Sequence, residues 1–64
     1  MKAIDYENIY RELEEKEAGL LCEHGFSHRD YYIGGMSAAY QGAPVECEVY
    51  DRSHNLVAVF EVAA

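Results

Sequence analysis

The sequence predicts an α+β domain: one N-terminal helix packed on a three-stranded antiparallel meander, in the order α-β-β-β. Three observations carry that expectation. Apolar residues recur at helical spacing as far as Leu21 and then stop. From Val45 onward the period becomes two, and valine dominates the last run, Leu56 to Val62. Between these halves stand Gly25, Gly34, Gly35 and Gly42, which break both patterns. With 64 residues, half of them apolar, the chain reads as one small domain spanning 1–64.

The helix has readable ends. Asp5 is placed to cap the amides of the first turn, with Glu7 near the positive end of the helix dipole. Tyr6, Ile9, Tyr10, Leu13, Leu20 and Leu21 form one apolar stripe. Gly25 is the better stop signal, because a left-handed glycine there lets Phe26 touch Leu21 as in a Schellman motif. Gly19 then lies inside the helix, at a cost of about 1 kcal/mol against alanine. The predicted helix runs over about 6–24. Glu17 is the anomaly, since its helical angle places a carboxylate inside the apolar stripe. Either the stripe is open to water there, or the carboxylate reaches a tyrosine or a partner's arginine.

Strands are expected over about 31–41, 45–50 and 56–62. The first is bent at Gly34-Gly35 and turns back near Gln41-Gly42; a short strand followed by one helical turn from Ser37 is the alternative. Asp51 to Asn55 reads as a type I turn followed by a bulge, with His54 in the left-handed position. That turn pairs Tyr50 with Leu56 and Glu48 with Ala58. Val45, Cys47, Val49, Val57 and Val59 then face the helix, while Glu46, Glu48, Tyr50, Leu56 and Phe60 face away. A slip of one residue exchanges the two faces.

Charge supplies the functional signal. Twelve acidic residues stand against five basic ones, for a net charge of −7. Anionic partners demand a positive footprint, so direct binding to nucleic acid or to an anionic membrane is not expected. A basic protein surface is the expected partner, unless the charge serves solubility alone. No basic-plus-apolar leader and no run of about 20 apolar residues is present, so a soluble, cytoplasmic protein is expected.

Catalytic and metal-binding signatures are thin. Cys22-x-His24-x₃-His28, completed by Cys47 or His54, is the one metal-like set, yet structural zinc sites use closely spaced ligand pairs. A helix also turns Cys22 and His24 about 200° apart. Acidic neighbours oppose activation of the Cys22 thiol as a nucleophile. Two cysteines do not make a disulfide framework, and both read as buried thiols. No enzyme activity, cofactor or metal is therefore expected.

Acid together with tyrosine remains. Six tyrosines are too many for so small a core to bury, and exposed tyrosine is an interface residue. Glu12 and Glu15 on the helix, with Glu46, Glu48, Tyr50 and Asp51 on the second strand, are the candidate partner-binding residues. Carboxylates pair with arginine as phosphates do, so such a face can occupy a nucleic-acid-binding groove. In size, acidity and α-plus-hairpin layout the chain resembles the small acidic proteins that bacteriophages use against host defence, the anti-CRISPR proteins and other DNA mimics. The resemblance implies an inhibitor that blocks a host nucleic-acid-binding complex without catalysis, and it carries over no residue. The alternatives are a self-associating protein, such as a homodimer, using the Tyr50/Leu56/Phe60 face, and a Cys/His metal-binding protein.

Overall fold

A computed structural model of the chain describes residues 3–64. Helix α1 covers Tyr6–Glu15 and helix α2 covers Glu17–Glu23; strands β1 (Tyr31–Ser37), β2 (Val45–Asp51) and β3 (Leu56–Val62) form one antiparallel sheet in that order. The predicted class is therefore the observed one.

Asp5 caps α1 through its carboxylate, which accepts the Asn8 N–H at 3.3 Å and the Asn8 side-chain amide at 2.7 Å. The single helix expected over 6–24 is interrupted at Lys16. The Lys16 N–H is shared between the carbonyls of Glu12 and Leu13, and α2 resumes as the Leu20 N–H meets the Lys16 carbonyl at 2.9 Å. An unbroken helix would carry Lys16 and Glu17 onto the stripe below Leu13. Instead the Glu17 carboxylate reaches the sheet, where it accepts the Ile33 N–H at 2.8 Å. That bond answers the anomaly of Glu17. Glu17→Ala is expected to destabilise the domain by about 1 kcal/mol, because Ile33 then lacks its acceptor. Urea titration checks the loss, and Glu17→Gln, which keeps a carbonyl acceptor, should recover most of it.

The C-terminus of α2 closes as the sequence suggests. Gly25 has φ 85°, the Phe26 N–H bonds the Leu21 carbonyl at 2.8 Å, and the Gly25 N–H bonds the Cys22 carbonyl at 3.1 Å. These are the two bonds of the Schellman motif.

Strand β1 stops at Ser37, four residues short of the expected end, and residues 39–42 form the turn. The Tyr6 hydroxyl fastens that turn, accepting the Gly42 N–H and donating to the Ala43 carbonyl, each at 2.9 Å. Opposite Glu48 the ladder carries the bulge expected at the glycines, its register shifting between Ile33 and Gly35. His54 takes φ 66°, as the turn reading required, and Tyr50 pairs with Leu56.

Beyond that pair the expectation fails. Val57 is an extra residue, so Val49 opposes Ala58 and Glu48 opposes Val59 rather than Ala58. The slip exchanges the faces of β3. Phe60, expected outside, is buried, while Val57 and Val59, expected inside, are about half exposed. Ala58 and Phe60 take the inward places, so one large ring stands in the core where two smaller side chains were expected. The core holds Leu13, Leu21, Val45, Cys47, Val49 and Phe60, with Tyr10, Phe26, Ile33 and Met36 packed against it. Both helices lie on that side of the sheet, and its other side is bare.

Candidate functional site

The bare side is where the exposed chemistry gathers. Alternation along each strand puts Tyr32 of β1, Glu46, Glu48 and Tyr50 of β2, and Leu56, Val59 and Glu61 of β3 on it, with the bulged Val57 beside them. Leu56, Val57 and Val59 are 52%, 46% and 51% exposed, large values for aliphatic side chains within a strand. Glu46 faces Glu61 across the ladder, so one end of the face is doubly acidic.

Two glycines shape the middle. A Cβ on Gly34 would lie 2.6 Å from Cε2 of Tyr50 and 3.2 Å from Cε2 of Tyr32, and one on Gly35 would collide with the Glu48 carboxylate. Bare backbone thus lets the Tyr50 ring and the Glu48 side chain lie flat across β1. The rings of Tyr32 and Tyr50 are stacked at 5.6 Å with 21° between their planes.

At the far end of the face two turns meet. The Arg52 guanidinium donates to the carbonyls of Arg29 at 3.0 Å and His28 at 2.7 Å, and its Cζ stands 5.6 Å over the Tyr32 ring. The Tyr32 hydroxyl and His54 Nδ1 are hydrogen-bonded at 2.7 Å.

Of the six predicted binding residues, Glu46, Glu48 and Tyr50 share this face. Glu12 and Glu15 are exposed on α1, across the molecule from it, so one flat partner cannot meet both sets. Asp51 is committed to the turn: its carboxylate accepts the N–H of Ser53 at 2.8 Å and of Asn55 at 3.0 Å. Phe60, assigned to the self-association face, lies inside the core with the His24 ring stacked on it at 4.0 Å. Tyr32 and Glu61 join the face without having been predicted for it, and so do Val57 and Val59, which were expected to face the helix. A two-residue period puts Glu61 and Val59 on one face, and the turn register directed that face inward. The bulge at Val57, which no residue announces, turns it outward.

The bonds to Asp51, led by the Asn55 N–H, hold its carboxyl below the usual aspartate range. A depressed folded pKa gives stability that is present above the unfolded value, near 4, and lost as pH falls through the folded one. Thermal melts at pH 7 and pH 3 should therefore show a smaller acid-induced drop for Asp51→Asn than for the parent chain.

Cys22 is exposed and Cys47 is buried, both as free thiols, and burial pushes the Cys47 thiol up. Cys22 thus departs from the buried-thiol expectation, because it points off α2 away from the stripe. Among the described residues no three histidine, cysteine, aspartate or glutamate side chains are grouped to hold a metal ion, and no helix is long and apolar enough to cross a membrane. Comparison with protein-family models, curated proteins and solved structures finds no match to this chain. What fold and face define together is a class: a small acidic α+β domain with one uncovered, half-apolar sheet face.

Proposed function

We propose that the protein is a non-enzymatic acidic binding module, and that its uncovered sheet face docks on a basic protein surface. The observation that carries this reading is the juxtaposition of an apolar strip with carboxylates: Tyr50, Leu56, Val57 and Val59 beside Glu46, Glu48 and Glu61. The apolar strip runs along β3 and the carboxylates flank it on β2 and at the end of β3, so apolar burial and charge pairing can act side by side in one interface. Carboxylates beside an apolar strip select arginine and lysine opposite them and speed the encounter. A nucleic-acid-binding complex presents such a surface, so the resemblance to phage inhibitors and DNA mimics leads to a blocker that occupies it. The helix carboxylates Glu12 and Glu15 add to the long-range field rather than to the contact.

The test is a low-salt pull-down of nucleic-acid-handling complexes from a cell lysate, eluted by a salt gradient. Glu46→Lys with Glu48→Lys is expected to weaken capture about tenfold or more, two reversed charges on the face being worth roughly 1 kcal/mol each. Glu12→Lys with Glu15→Lys should do much less. Capture that survives the strand reversals and is lost with the helix reversals would move the interface to α1.

A second reading is favoured by the exposure of Leu56, Val57 and Val59 along one edge strand: pairing of β3 with a second copy. Mass measured in dilute solution separates the two. A stable, salt-resistant dimer would make the charge a solubility feature.

A further inference from the structure

Strand β1 is the other edge of the sheet, and its outward-facing backbone groups are treated unequally. In an antiparallel ladder every second residue turns its N–H and C=O away from the partner strand. The Tyr31 N–H is closed by the Ser27 carbonyl at 3.0 Å, and the Ile33 N–H by the Glu17 carboxylate at 2.8 Å. Past the bulge the same alternation turns Met36 outward, and among the described residues no group outside the sheet bonds its N–H.

An open cleft of about 190 Å³ lies at this point, lined by Tyr10, Glu14, Ile33, Gly34, Gly35 and Met36. Small-molecule pockets run to roughly 300–1,000 Å³, so this one suits a single long side chain. Its lining holds a carboxylate and no cation, and Glu17 adds a second carboxylate just beyond. Tyr10 supplies an aromatic wall, and Gly34-Gly35 supply backbone with no side chain in the way.

We infer that this cleft receives an extended segment of another protein, which adds to β1 at Met36 as a short fourth strand and places an arginine or lysine against Glu14. Glu17 already bonds the edge as a neighbouring strand's carbonyl would, one outward residue before the vacancy. Strand addition supplies main-chain bonds, and the pocket beside the edge supplies selectivity. The inference does not rest on the uncovered face, which lies on the other side of the sheet plane from α1.

The probe is a blocked peptide of sequence Val-Arg-Val-Arg-Val, titrated into the ¹⁵N-labelled protein. Saturable shifts at Gly34 to Ser37 with slowed exchange of the Met36 amide are expected. Glu14→Gln should weaken binding about two- to fivefold, the range of an exposed ion pair. Glutamate in place of arginine should abolish it, and the Glu46→Lys, Glu61→Lys protein, altered on the uncovered face away from the cleft, should retain it. Shifts confined to Tyr50, Val57 and Val59 would overturn the inference, as would no saturation at millimolar peptide. Equal binding of a peptide N-methylated on its edge-facing amides would overturn the strand pairing.

Discussion

Leu21→Ala is expected to remove most of the stability of this domain. Leu21 is 1% exposed and the largest fully buried side chain in a core of few residues. Truncating a buried leucine costs about 2–5 kcal/mol, in lost transfer energy and in the cavity left behind. A domain of this size has only about 3–10 kcal/mol in all, by the usual stability per residue. The backbone carbonyl of Leu21 still accepts the Phe26 N–H in the variant, so the helix cap is not what is lost. Urea denaturation followed by far-UV circular dichroism gives the number, with half-buried Leu20→Ala as the milder control. A loss below about 1 kcal/mol would mean that α2 is not docked on the sheet as described.

The second large effect is expected at Gly34→Val, where a side chain must enter space that Tyr50 fills. Rings on an open face can swing away, so the variant should fold but lose the Tyr32–Tyr50 stack. Overpacking of this kind costs about 1–3 kcal/mol, and the stack itself about 0.5–1.5 kcal/mol. The cause can be isolated by a double-mutant cycle. In a Tyr50→Ala background the Gly34→Val penalty should shrink sharply, because the ring it displaces is gone. An unchanged penalty would place the strain in the backbone of the bulge. Near-UV circular dichroism reports the tyrosine rearrangement independently of stability.

The parts of this fold that were legible are those in which local chemistry leaves one choice. Asp5 before the apolar stripe, Gly25 after it, and the turn with His54 in the left-handed position all behave as their side chains dictate. Strand β2 was also legible, because carboxylates alternate with Val45, Cys47 and Val49. Strand β3 was not. Its run Leu56 to Phe60 is apolar on both sides, so alternation holds no information about which face is inside, and a single extra residue at Val57 decides it. The break at Lys16 was hidden for a related reason. Helix propensity favours continuation there, and nothing near Lys16 announces the interruption, just as nothing near Glu17 announces its bond to the distant Ile33 N–H. The candidate face was half legible: Glu46, Glu48 and Tyr50 come from β2, while its valines come from the register of β3 and its flatness from glycines on β1.

The meeting of the two turns sets how charge is spread along the uncovered face. Arg29 and Arg52 there offset Asp30 and Asp51, which leaves that end near neutrality, while Glu46 and Glu61 sit toward the opposite end of the sheet. Along the uncovered face, such segregation grades the charge from the turn at one end to the Glu46–Glu61 pair at the other. Two carboxylates side by side at one end make that end the more negative part of the face. If the face docks on a basic protein surface as proposed, the Glu46–Glu61 end is drawn to it more strongly than the end where the turns meet. Raising the salt should even out the two.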